Sequence, residues 1–133
     1  MIHVLLAGRG MASRPAFKAA LDESDTLTTC LESGRKALLA ITEKTFDLLV
    51  ADEDLGDMSG LELVQSVIAK RPVINCAVAS TLSPEDFHAE SEGLGILMQL
   101  PAEPGKQEAY NLLECLNKIH SLAQIPSPQG TCV

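Results

Sequence analysis

Aromatic side chains are scarce in this sequence. They make up 3% of its 133 residues, with no Trp, one Tyr and three Phe, whereas 46% of the residues are hydrophobic and 21% are charged. A core must therefore be built mainly from Leu, Ile, Val and Ala. The hydrophobic and charged contents are close to the globular average, which argues against wholesale disorder, and the length suits one domain.

Basic residues are also few. Ten Lys and Arg stand against eighteen Asp and Glu, which gives a formal net charge of −8. Nucleic-acid binding draws its affinity from Lys and Arg against phosphate, and this sequence does not supply a basic face. We therefore expect no nucleic-acid binding by this domain, and an acidic surface that keeps it soluble.

Long apolar runs and paired cysteines are missing as well. No run approaches the roughly 20 apolar residues that span a bilayer, and the N-terminus opens into a strand-like segment rather than a signal peptide. Cys30, Cys76, Cys115 and Cys132 form no CxxC pair and lie near no His at metal-ligand spacing. These features predict a cytoplasmic protein in a reducing compartment, without membrane contact.

Short apolar runs alternate with segments of helical periodicity along the chain. Strands are predicted at 2–7, 26–30, 46–52, 75–79 and 96–100, and helices from Ser13, at 34–44, at 61–71, from Ser83 and at 106–122. Buried strands joined by helices predict an α/β fold, a doubly wound five-stranded parallel sheet. Residues 1–122 form the predicted domain, and 123–133, with two Pro and a Gly, a loose tail or the stub of a linker.

Ligand sites in such sheets lie beyond the carboxyl ends of the strands. Gly8 and Arg9 follow the first predicted strand, Asp52 closes the third, Ser80 follows the fourth and Leu100 ends the fifth. These positions are the candidate functional residues.

Local sequence around the third strand resembles a known family. Residues 47–52 (DLLVAD) are followed eight residues later by 60–63 (GLEL), and Gly93 and the pair Leu100-Pro101 match further downstream. In these features the chain resembles the receiver domains of bacterial response regulators, the chemotaxis-regulator-like proteins of two-component phosphorelay signalling. The resemblance spans residues 2 to about 122. It implies a flavodoxin-like (βα)5 fold with strand order 2-1-3-4-5.

The resemblance assigns two positions of a phosphoryl site. Asp52 takes the phosphoacceptor position. Ser80 takes the place of the Thr or Ser that contacts the phosphoryl group after strand four, although Thr81 and Ala79 remain alternatives.

Other parts of the family's site are replaced. The two adjacent acids that hold Mg²⁺ after strand one correspond to Gly8 and Arg9, and the lysine before the proline of strand five corresponds to Leu100. A guanidinium cannot ligate a cation, so Mg²⁺ binding is doubtful and no cofactor is expected. Arg9 is interpreted first as a salt-bridge partner of Asp52, with slow phosphorylation or binding of another small anion as alternatives. The expected protein is a degenerate receiver, or pseudo-receiver.

The resemblance also implies how the domain signals. Receivers signal through the face made by helix four, strand five and helix five, and the implied partners are a histidine kinase, an output domain or another regulator. We expect that this chain is not an enzyme. The positions on that face, in some combination, are Phe87, Leu97, Gln99, Tyr110, Asn111 and Glu114.

Two other patterns suggest different chemistry. Residues 8–13 partly fit the GxGxxG loop of dinucleotide-binding folds, with Glu32 where a ribose-binding acid would sit, which makes a small nucleotide- or flavin-binding domain the alternative function. Its third position is Ser13 rather than Gly, and the chain is short for a substrate domain. The acids Glu53, Asp54 and Asp57 are expected to project into solvent rather than to bind a metal.

Overall fold

A single parallel sheet organises the described part of the chain. The computed structural model describes residues 2–8, 15–23, 26–71, 74–101 and 104–122. The strands and helices are β1 (Ile2–Ala7), α1 (Pro15–Glu23), β2 (Thr26–Leu31), α2 (Gly34–Glu43), β3 (Leu48–Ala51), α3 (Gly60–Lys70), β4 (Asn75–Ala79), α4 (Pro84–Ser91), β5 (Met98–Leu100) and α5 (Lys106–Leu122).

The sheet has the predicted topology. Its order is β2-β1-β3-β4-β5, and each neighbouring pair is parallel. The order reverses direction between β1 and β3, which places a crevice at the carboxyl ends of these two strands. The α/β class, the flavodoxin-like architecture and the strand order are thus confirmed.

Helices cover both faces of the sheet because alternate strand residues point to opposite sides. In β1, Val4 and Leu6 face one core with α1 and α5, whereas Leu5 and Ala7 face a second core with α2, α3 and α4. All four of these side chains are fully buried. Aliphatic side chains dominate both cores, as the scarcity of aromatic residues requires.

Two strands are shorter than predicted. β3 occupies Leu48–Ala51 rather than 46–52, and β5 Met98–Leu100 rather than 96–100. Phe46 is only 4% exposed although it precedes the strand, since a side chain can enter the core without its residue joining the ladder. Hydrophobicity therefore overstates the length of a strand.

The loop from β3 to α3 is anchored at its end. Ser59 caps α3 by accepting a hydrogen bond from the Glu62 N–H, and the Glu62 carboxylate accepts from the Ser59 N–H, which makes a capping box.

No helix in the described ranges is long and apolar enough to cross a membrane. The predicted tail, 123–133, lies outside the described residues.

Candidate functional site

Backbone hydrogen bonds fix the residues that follow three of the strands. The Gly8 N–H donates to the Leu31 carbonyl and the Asp52 N–H to the Ala7 carbonyl, each at 2.9 Å. The Ser80 N–H donates to the carbonyl of Leu100 at 3.0 Å. The sheet thus holds Gly8, Asp52 and Ser80 at the same edge, where the predicted site lies.

Asp52 lies directly against Gly8. A Cβ added to Gly8 would be 2.7 Å from the Cβ of Asp52 and 2.8 Å from its Oδ2, and Gly8 has a φ of +152°. Real Cβ atoms do not approach other atoms so closely, and the backbone conformation itself favours glycine. Glycine at position 8, where the resemblance places the first metal-binding acid of receivers, thus leaves room for the Asp52 carboxylate.

Gly60 meets Asp52 from the other side. A Cβ on Gly60 would lie 2.2 Å from the backbone oxygen of Asp52, and the Gly60 N–H donates to the carbonyl of Glu53 at 2.9 Å. The first residue of α3 has to be glycine because the helix begins in contact with the acceptor strand. This close approach fixes the backbone of the candidate acceptor.

Glu53 does not project into solvent as expected. Its Oε1 accepts from the Ser80 hydroxyl at 3.2 Å, and its Oε2 accepts from the Thr81 hydroxyl at 3.0 Å and from the Thr81 N–H at 3.4 Å. Ser80 itself is only 5% exposed. This contact was not predicted. The sequence shows only an acid directly after Asp52 and two adjacent hydroxyl residues after β4, and this pattern does not specify that they meet.

The two other acids of the loop have separate local roles. Asp54 accepts from the Gly56 N–H at 2.9 Å within its own turn. Asp57 accepts from the N–H groups of Arg35 and Gly34 at the start of α2, both at 3.0 Å, and these bonds hold the pKa of its carboxyl below the ordinary value. Within the described ranges, no three His, Cys, Asp or Glu side chains gather as a metal would require.

Leu100, which the resemblance matches to the lysine of receivers, belongs to the core. It is 2% exposed and packs in the cluster that contains residues of α1 and α5. Its side chain carries no charge that could meet a phosphoryl oxygen. Leucine at this position is therefore part of the core packing next to the candidate site.

Mg²⁺, which the receiver fold implies, does not fit the donors that the structure describes. Mg²⁺ needs a near-octahedral set of oxygen ligands. Gly8 offers no carboxylate, and the carboxylate of Glu53 already accepts hydrogen bonds from Ser80 and Thr81. Arg9 and its predicted salt bridge to Asp52 lie outside the described residues.

The glycine-rich loop of residues 8–13 is described only at Gly8. The approach of Asp52 already requires glycine at this position. Gly8 therefore has a structural reason that does not involve a nucleotide.

The residues predicted for the partner surface differ in their exposure. Asn111 and Glu114 are exposed on α5, whereas Phe87 is buried in the core under α4. The Gln99 side chain donates to the Leu82 carbonyl at 2.8 Å, and the Tyr110 hydroxyl donates to Glu23 at the end of α1. Phe87 thus anchors α4 instead of facing a partner.

The fold matches solved structures of signal receivers. The signal receiver domain of an HD domain-containing protein from Pseudomonas fluorescens superposes with a TM-score of 0.78 at 17% identity, covering 94% of this chain and 93% of that one. The chemotaxis response regulator CheY4 of Vibrio cholerae gives 0.77 at 19% identity, with 87% and 98% covered. A two-component response regulator from Clostridium difficile gives 0.77 at 13% identity, with 89% and 97% covered.

No family model matches the sequence, and the search of curated proteins finds no significant match. The similarity at these low identities is one of fold. The chain therefore has the fold of response regulator receiver domains, as the residues around β3 predicted.

Proposed function

We propose that this chain is a receiver-like signalling domain of a two-component system that acts through protein contacts. The observation that carries the proposal is the combination at one sheet edge of an Asp at the end of β3 with Gly8 and Leu100 in place of the acid and the lysine. The receiver fold and the aspartate position are kept, while the charges that assist phosphoryl transfer are replaced.

Phosphorylation of Asp52 is slow or absent under this proposal. Phosphoryl transfer is catalysed mainly by positioning and by stabilising charge, and loss of one such donor typically costs roughly 10²–10³ in rate. The site lacks the lysine of β5, and its described donors do not suit Mg²⁺. Ser80, the proposed phosphoryl-contact residue, already donates to Glu53.

The partners we propose are signalling proteins: a histidine kinase, an output domain or another regulator. Binding would occur on the surface formed by α4, β5 and α5, where Asn111 and Glu114 are exposed. The domain acts by favouring one arrangement of this surface and not by catalysis. We place it in the cytoplasm, since Cys76 is a thiol buried in the core and in no disulfide, as suits a reducing compartment.

Intact-mass measurement after incubation with acetyl phosphate and Mg²⁺ tests the acceptor site. We expect little or no gain of about 80 Da, the mass of one phosphoryl group, under conditions that fully label an intact receiver. Asp52→Ala provides the matched control, because any gain that persists in this variant arises elsewhere. Labelling of the unmutated chain at the rate of the intact receiver would contradict the proposal.

A further inference from the structure

Three hydrogen-bond donors at the end of β4 converge on one carboxylate. The Ser80 hydroxyl lies 3.2 Å from Oε1 of Glu53, and the Thr81 hydroxyl lies 3.2 Å from Oε1 and 3.0 Å from Oε2. The Thr81 N–H adds a longer contact of 3.4 Å to Oε2. Both oxygens of the carboxylate are engaged, and bonds to a charged acceptor are stronger than neutral ones.

These bonds continue into α4. Ser80 Oγ also accepts from the Leu82 N–H at 3.1 Å, and Ser83 then caps α4 by accepting from the Asp86 N–H at 3.2 Å. A path of hydrogen bonds and one peptide link, from Leu82 to Ser83, therefore runs from Glu53 to the first turn of α4. The path joins the loop after β3 to the loop after β4.

α4 depends on this entry loop because its own packing on the core rests on one buried side chain. Among its eight residues only Phe87 is buried, and most of the others are exposed. A helix with one buried anchor is free to shift unless its ends are fixed. The conformation of residues 80–83 thus sets where α4 lies.

We infer that the Glu53 carboxylate is the anion that the hydrogen-bond donors of Ser80 and Thr81 bind in this chain. This carboxylate takes the hydrogen bonds that the loop would otherwise offer to a phosphoryl group on Asp52. Together with the bond from Gln99 to the Leu82 carbonyl, it keeps residues 80–83 and the start of α4 in one conformation without phosphorylation. We call the hydrogen bonds of Glu53 with Ser80 and Thr81 the clamp. A role of the clamp in signalling rests on the proposed function, since α4 is part of the proposed partner surface. The hydrogen bonds themselves do not depend on that function.

Backbone dynamics measured by ¹⁵N relaxation test the clamp. In the unmutated protein we expect order parameters near 0.85 for Thr81 and Leu82, the value of rigid backbone, and in Glu53→Ala values below about 0.6. Asp54→Ala is the matched control, because it removes a neighbouring carboxylate of the same loop that accepts from the Gly56 N–H within its own turn. It should leave the order parameters of residues 80–83 unchanged.

The inference is overturned if Glu53→Ala leaves Thr81 and Leu82 as rigid as before, or if Asp54→Ala loosens them equally. Glu53→Gln serves as a second variant should Glu53→Ala fold poorly, with a smaller loss of rigidity expected. As a single substitution, Thr81→Val should lower the order parameters of the loop. In the double variant with Glu53→Ala it should lower them little further, because both substitutions remove the same contact.

The two proposals can fail separately. Rapid labelling of Asp52 by acetyl phosphate would contradict the proposed function, yet the relaxation result would still decide whether Glu53 orders the loop. A loop that stays rigid in Glu53→Ala would end the clamp and leave the labelling result unaffected.

Discussion

The residues around Asp52 are packed so that each one limits which side chains its neighbours can have. Gly8 has no side chain, and the carboxylate of Asp52 lies where one would begin. Leu100 fills the core beneath the same edge, and Glu53 turns toward Ser80. Restoring one receiver residue, for example by Gly8→Asp, would therefore not rebuild a metal site, because the neighbouring side chains have already taken its room.

Substitution at Gly8 measures this contact. We expect Gly8→Ala to lower the free energy of unfolding by about 3–5 kcal/mol, from backbone strain and overpacking against Asp52 together. Gly93→Ala is the control: Gly93 also has a positive φ, +85°, but its added Cβ would meet no atom within 4 Å. It should cost only about 1–2 kcal/mol. Urea unfolding measures both, and equal costs would show that Asp52 does not restrict position 8.

At the scale of elements, the loop after β3 makes hydrogen bonds near the start of three helices. Glu53 accepts from Ser80 in the loop before α4, Asp57 accepts from N–H groups at the start of α2, and Ser59 caps α3. Each contact satisfies backbone or hydroxyl donors that have no partner within their own element. Glu53 and Asp57 of this loop thus bond to the segments from which α4 and α2 begin, whereas Asp54 bonds within its own turn.

The Asp57 contact makes α2 sensitive to acid. Hydrogen bonds from the N–H groups of Arg35 and Gly34 lower the pKa of Asp57 below its ordinary value of 3.8. Its stabilisation is complete above that value and is lost as pH falls through the lower pKa of the folded state. Asp57→Asn should therefore lower the thermal midpoint at neutral pH, and its difference from the unmutated protein should shrink below about pH 4.

Ser33→Ala is the control for this pH dependence. The Ser33 hydroxyl caps the same end of α2 by accepting from the Lys36 N–H at 3.2 Å, and it does not titrate in this range. Its loss should cost about 1 kcal/mol at every pH. A deficit in Asp57→Asn that stays constant down to pH 2–3 would contradict the role of the carboxylate.

The elements were predictable because their signals are local. β1 and β4 have the predicted bounds, and Ser83 before Pro84 correctly marks the start of α4. Strand order followed from the resemblance around β3, as periodicity alone does not choose among parallel topologies. The errors lie at strand ends such as Phe46, where burial continues beyond the ladder.

The sequence predicted where the residues of the candidate site would lie, but it did not predict the contacts that their side chains make. Gly8, Asp52 and Ser80 come to one edge because parallel strands end together. The hydrogen bond that Ser80 donates to Glu53 joins residues 27 positions apart, and no local pattern fixes the direction of a loop side chain. Such contacts depend on the folded arrangement of two loops.

At the scale of the whole molecule, two cores share one sheet. Residues of β1, β3 and β4 alternate between the clusters, so opening either face exposes the centre of the same strands. We therefore expect one cooperative unfolding transition for the described part of the chain. A buried thiol in a central strand provides a direct probe of it.

Cys76 should react only when the sheet opens. It is 1% exposed in β4, and burial raises the pKa of its thiol to about 12, so a mildly alkaline solution leaves it almost wholly protonated and shielded. We expect its alkylation by iodoacetamide to be very slow in buffer and to rise with urea in parallel with global unfolding. Cys30 is the internal control, since it lies partly exposed on the edge strand β2 and should label faster without urea. Peptide mass spectrometry separates the two sites, and equal labelling of Cys76 and Cys30 in buffer would mean that β4 opens independently of the rest of the fold.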